Sequence, residues 1–211
     1  MTTPKKKTAR KSTPKAAKPA AKKAKAAGPR LLQLKITLQW SHPEIWRRVV
    51  VPEDLTLDQF HRVIQIVMGW DDSHMHMFSD GKRMFAMRGY EDDIAGADFP
   101  EWKHTVGDVL GGAKRTLMYE YDFGDSWIHQ IVREKLLPPD PAARPLVCLA
   151  GEQACPPDDC GGIGGYYQML EALNKPEHQD YEWVSDFLDK DWDPEAFDLD
   201  KINRQLAPRR R

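Results

Sequence analysis

Nowhere does this 211-residue chain hold a run approaching the ~18 apolar residues that a membrane-spanning helix requires. Acidic residues are missing altogether from residues 1–30, and so are aromatic and large aliphatic side chains after Met1. Cysteine is scarce: Cys148, Cys155 and Cys160 are an odd set in a chain whose N-terminus lacks the apolar core of a secretory leader. A disulfide framework is therefore not expected, and the expected compartment is the reducing cytoplasm, with no membrane contact. Also missing are the Gly-Lys-Ser/Thr end of a phosphate-binding loop and the dinucleotide fingerprint. No motif here fixes a reaction.

The formal net charge of −1 conceals an asymmetry, because residues 1–30 carry eleven of the 31 Lys and Arg. The remaining 181 residues hold 20 basic against 32 acidic side chains, a net of −12. Lys, Ala, Pro, Thr and Ser cannot bury enough apolar surface to offset ordering entropy, so residues 1–30 are expected to form a disordered basic tail. Its cations, among them Lys5, Lys6, Lys7, Arg10, Lys11, Lys22, Lys23 and Lys25, suit weak, salt-sensitive, sequence-blind attraction to nucleic acid. A solubilising leader that contacts the acidic body explains them equally well. Residues 31–207 are read as one domain and residues 208–211 as a basic end.

Within the domain the patterning predicts an α+β fold: mainly antiparallel hairpins, one packed helix over residues 56–68, and a C-terminal group of short helices. Leu32, Leu34, Ile36, Leu38 and Trp40 alternate with polar residues, the period of a strand, and residues 45–51 read as its antiparallel partner. Thr56-Leu-Asp-Gln59 is a capping box, Leu55 and Phe60 suit a hydrophobic staple, and Leu57, Phe60, Ile64, Val67 and Met68 recur at helical spacing before Gly69. His61 falls on that stripe, as a hydrogen-bonded core histidine does. Residues 74–78 read as a strand with His74 and His76 on one face, followed by a turn at Asp80-Gly81. Residues 88–104 read as a surface excursion, and residues 105–110 as a helical turn capped by Thr105. The segment 148–165 reads as irregular, and helices are expected over 166–173, 181–188 and 199–206.

The densest run of aromatic and ionisable side chains is residues 117–134. Leu117, Tyr119, Tyr121 and Phe123 alternate with Met118, Glu120 and Asp122, and Gly124-Asp125 suits a two-residue type II′ turn before a return strand at Trp127. That register pairs Asp122 with Trp127 and Glu120 with His129, so two carboxylates and an imidazole would share a face. A solvated outer face of an ordinary sheet explains the same residues. The candidate pocket is therefore His74, His76, Glu120, Asp122, Asp125, Trp127, His129, Asp158 and Asp159, with no catalytic role assigned.

Two metal readings arise. Cys148, Cys155 and Cys160 with a nearby histidine could complete a zinc site, although Cys-x6-Cys-x4-Cys lacks the paired knuckle of structural zinc. Alternatively Asp122, Asp125, Asp158 and Asp159 could hold a divalent cation if their two segments converge. The glycines at 161–165 could offer free amides to an anion, or let the acidic loop approach the sheet. Ser126, the one tempting nucleophile, is explained by its turn position.

Four motifs occur in order: Pro43-Glu-Ile-Trp-Arg-Arg-Val-Val-Val-Pro52; Ile64-Gln-Ile-Val-Met-Gly-Trp70 with His74-Met-His-Met-Phe78; Tyr119-Glu-Tyr-Asp-Phe-Gly-Asp-Ser-Trp-Ile-His129; and Cys155-Pro-Pro-Asp-Asp-Cys-Gly-Gly162 before Gly165-Tyr166. Together they resemble the plasmid pRiA4b ORF-3-like family, whose members are often described as transposon passengers. The resemblance spans residues 32–206 and implies an α+β fold and association with bacterial plasmids and mobile elements. It implies no reaction; the resolvase label of some members finds no nucleophile here, and the basic tail departs from the family's usual core. The expected function is a non-enzymatic interaction module with a nucleic-acid-attracting tail and no identified protein partner. The alternative is a zinc- or manganese-dependent hydrolase acting on nucleic acid through His74, His76, His129 and the nearby carboxylates.

Overall fold

Alternation in the first apolar segment becomes β1 (Leu31–Leu38), with Leu32, Leu34, Ile36 and Leu38 all buried. The computed structural model describes residues 1–2, 28–90, 99–139, 146–188 and 191–207. The expected tail, residues 1–30, and the basic end, residues 208–211, fall almost wholly outside them. Trp40 is not part of β1: it takes a left-handed φ of 62° in the following turn and is 61 % exposed. The chain returns as β2 (Trp46–Pro52), paired antiparallel to β1.

Helix α1 (Leu57–Met68) follows, with the Gln59 side-chain oxygen accepting the Thr56 N–H at 3.2 Å and Gly69 closing the C-terminus at φ 105°. Only glycine takes that left-handed cap cheaply. Its inward stripe of Leu57, Phe60, Val63, Ile64 and Val67 is removed from water, each such side chain contributing about 1.5–3 kcal/mol relative to exposure.

Then come β3 (His76–Ser79), β4 (Met84–Ala86) and β5 (Phe99–Pro100), with a 3-10 turn at Glu101–Lys103. The expected strand at 74–78 thus begins two residues late, because His74 lies in the loop before it. The surface excursion ends differently too: Phe99–Pro100 adds a strand, and Glu101 is buried; residues 91–98 lie outside the described residues. Helix α2 (Val106–Leu110) has the expected cap, with Asp108 N–H donating to Thr105 Oγ1 at 3.1 Å and Thr105 N–H to Asp108 Oδ2 at 2.8 Å.

The central hairpin, β6 (Thr116–Tyr121) and β7 (Trp127–Leu137), departs from its expected register by one residue. Tyr121 pairs with Trp127, Glu120 with Ile128 and Tyr119 with His129. The loop is residues 122–126, not a two-residue turn. Asp122 and Ser126 both take φ 55°, the Asp122 carbonyl accepts the Ser126 N–H at 2.6 Å, and Asp122 Oδ1 accepts the Gly124 N–H at 2.9 Å. The physical reason is burial: this register puts Tyr119, Tyr121, Trp127 and His129 on the inner face together, whereas the shorter turn would pair Tyr119 with Gln130, Tyr121 with Ile128 and His129 with Glu120 and so divide the four between the two faces. Glu120 is left on the opposite face from His129, bonded to the Ser126 hydroxyl at 2.7 Å.

β8 (Val147–Glu152) is a strand within the segment expected to be irregular. It is followed by α3 (Gly162–Leu173), four residues longer than expected at its start, α4 (Tyr181–Phe187) and α5 (Leu199–Leu206). The eight strands form one sheet in the order β5-β4-β3-β6-β7-β1-β2-β8, antiparallel except where β4 meets β5. All five helices contribute to a single buried cluster with the inner face of the sheet. At the β8 edge, Asn203 of α5 accepts the Cys148 N–H and donates to the Cys148 carbonyl, both at 2.9 Å.

Candidate functional site

A row of rings crosses the inner face of β3, β6 and β7. The His76 ring stacks on His61 of α1 with centroids 3.5 Å apart, and His76 Nε2 pairs with Glu101 at 2.8 Å. His61 reaches the Tyr119 hydroxyl at 2.8 Å and Asp72 at 2.6 Å, which makes it the hydrogen-bonded core histidine that its position on the helix stripe implies. Burial first, then the neighbouring His76, pushes His61 down to about 4. His129 is enclosed between Tyr119 and Trp70; its Nδ1–H donates to the Trp127 carbonyl, and burial pushes it down to about 3. Trp127 is likewise buried. Apart from Asp72, whose side chain is exposed, these groups form the buried interior of the fold.

The row emerges at His74, whose ring meets Tyr121 edge-on. Here the hairpin turn and the loop after β8 converge, on the condition set by the sequence reading. Asp125 Oδ2 accepts the Gly161 N–H at 3.1 Å, and Gly162, at φ 66°, lies directly against the Asp125 carbonyl where a Cβ would collide. Gly165 packs equally closely on the Cys160 carbonyl. The glycines thus allow close approach, the second of the two roles expected of them.

Convergence brings His74 Nε2 to 3.4 Å from Asp159 Oδ1 and 3.8 Å from Asp122 Oδ2. Among the described residues, these three form the group of metal-ligating side chains whose donor atoms all lie within 4.8 Å of one another. The three thiols do not gather in this way; burial raises each above its ordinary value, Cys160 to about 12. Asp158 lies beside the group, and burial, reinforced by the charge of Asp71, pushes it up to about 6. Of the nine pocket residues, His74, Asp122, Asp125, Asp158 and Asp159 meet at this surface; His76, Trp127 and His129 lie in the core, and Glu120 faces away. Asp71, Asp72 and Glu101 were missed, because each acts through a tertiary contact that leaves no local signal.

Next to the acidic group opens a cleft of about 570 Å³ between the end of α1, residues 154–158 and the C-terminal helices, lined among others by Arg47, Trp70, Asp158, Trp192 and Phe197. Arg47 is buried, donates to the Val67, Trp46 and Glu152 carbonyls, and lies 4.9 Å from the Phe197 ring. Among the described residues no helix is long and apolar enough to cross a membrane.

The described residues define an α+β fold in which the central hairpin of an eight-stranded sheet and the post-β8 loop converge around a histidine and carboxylates. The chain belongs to the plasmid pRiA4b ORF-3-like family, whose model matches residues 30–201. It is similar to the uncharacterised protein y4hQ of Sinorhizobium fredii, 34 % identical over 182 residues that cover 83 % of this chain and 90 % of the relative. It is also similar to the crystal structure of a protein of unknown function from Methanosarcina mazei, with a TM-score of 0.74 and 34 % identity, covering 85 % of this chain and 99 % of the other.

Proposed function

We propose that this chain is an interaction module of a plasmid-associated family, serving mobile elements, that is held near nucleic acid by its N-terminal polycation. The supporting observation is the separation of charge, eleven cations and no acid in residues 1–30 against a net of −12 in the rest. Lysines that neutralise phosphates release condensed counterions, which gives affinity without base reading. The acidic domain is repelled by the same phosphates, so attachment stays confined to the tail. Removing residues 1–30 is expected to abolish retention of double-stranded DNA in low-salt mobility-shift experiments. Retention that survives the deletion would refute this reading.

A second reading, metal-dependent hydrolysis of phosphodiesters, is favoured by the meeting of His74, Asp122 and Asp159 with their donor atoms within 4.8 Å of one another. It no longer uses His76 or His129, which lie in the core. Hydrolysis of bis(p-nitrophenyl) phosphate or single-stranded DNA in saturating Mn²⁺, lost in Asp122→Asn, is the expected result; no turnover above buffer removes it.

A further inference from the structure

We propose that His74, Asp122 and Asp159 form a binding site for one first-row divalent cation, of the manganese or zinc type, with open positions facing solvent. The proposal needs neither functional reading above to be correct.

The donor set is the first argument. Ligand atoms about 2.1 Å from a shared ion stand roughly 3 to 4 Å from one another. The two edges from His74, 3.4 Å to Asp159 and 3.8 Å to Asp122, already have that spacing. All three donors lie within 4.8 Å, and Asp159, with a side chain 72 % exposed, is free to swing through the remaining distance.

The second argument is independent of the clustering. The Asp122 side chain is nine-tenths buried; its Oδ1 accepts the Gly124 N–H, and its Oδ2 stands 3.8 Å from His74 Nε2. Facing it, His74 Nε2 is shut off from solvent and has no hydrogen-bond partner. Burying an imidazole nitrogen that has no hydrogen-bond partner, opposite a largely buried carboxylate, is costly. A cation between them satisfies both. Asp158 Oδ1, adjacent and also buried without a partner, extends the same deficit of positive charge.

Rigidity and ligand chemistry narrow the occupant. Asp122 is fixed by the hairpin turn and His74 packs edge-on against the Tyr121 ring, while the Gly161–Asp125 hydrogen bond holds the loop backbone that carries the mobile Asp159 side chain. One imidazole with two carboxylates is harder than a thiolate site and softer than an all-oxygen cage, which suits Mn²⁺ or Zn²⁺ over Ca²⁺ or Mg²⁺. Three protein donors leave coordination positions for water or for an oxygen of a bound ligand, as at open rather than structural sites.

The test is calorimetric titration of MnCl₂ into the full, untagged, chelator-stripped chain. The expected result is one site per chain, weakened at least tenfold in His74→Ala, Asp122→Asn and Asp159→Asn. Asp159→Asn guards against misfolding, since that exposed side chain contributes little to the core. Its thermal midpoint without metal should match the parent, while the rise in midpoint that saturating Mn²⁺ gives the parent should vanish. A parent that binds no Mn²⁺ or Zn²⁺, or binding unchanged in Asp159→Asn and Asp122→Asn, overturns the site. Cation binding without phosphodiester turnover leaves this inference standing and removes only the hydrolase reading.

Discussion

One hydroxyl, that of Tyr119 on β6, ties the sheet to two successive turns of α1: it meets His61 Nδ1 at 2.8 Å and accepts from Gln65 at 3.1 Å. Alternation in the sequence placed Tyr119 inside, and helical spacing placed His61 there, yet their meeting depends on how α1 crosses the sheet. His129 shows the energetic side of such burial. Its folded form stays neutral down to about pH 3, whereas an unfolded chain protonates near pH 6.5. Between those values the unfolded state binds the extra proton, so stability is complete above pH 6.5 and declines as the pH falls. For one such group the slope approaches ~1.4 kcal/mol per pH unit, and His61 adds to it down to about pH 4. Urea unfolding at pH 7.5 and pH 5 should therefore show a smaller difference for His129→Gln than for the parent; an identical pH dependence would contradict the assignment.

At the level of elements, what was legible was local. The Thr56 and Thr105 capping signals, the Gly69 stop and the alternation of β1 and β6 each act within a few residues, and each appears in the fold. What was not legible depends on partners. The hairpin register was decided by which aromatic side chains could share the core, and β8 is a strand because β2 offers it an edge. The candidate site follows the same division: its residues lay in recognisable motifs, but the clamp between Asp125 and Gly161 that brings Asp159 to His74 is tertiary. Helix α2 is only five residues long and depends on its cap. It is also tied to the start of α1, through the Thr56–Thr105 bridge and the Leu57 N–H to His104 carbonyl bond of 2.9 Å. Thr105→Ala should thus cost about 1 kcal/mol by denaturant unfolding, and hydrogen exchange should quicken at Val106 and Leu57 together. Faster exchange at neither would show that the two caps are not coupled.

For the whole molecule, the sheet has two outer strands, β5 and β8. An outer strand with free amides invites pairing with another chain. The Asn203 carboxamide occupies both backbone groups of Cys148, so α5 acts as a stopper on that edge. Asn203→Ala should lower stability by about 1–3 kcal/mol and produce concentration-dependent association in sedimentation velocity; a strictly monomeric variant would show that the edge is guarded by other means. The position of β1 has a consequence for synthesis. It lies between β2, made immediately after it, and β7, which starts only at Trp127. The nascent chain must therefore carry its first strand half-paired until residues 127–137 clear the ribosome. Slow completion of this kind exposes apolar surface to chaperones before the centre of the sheet can close.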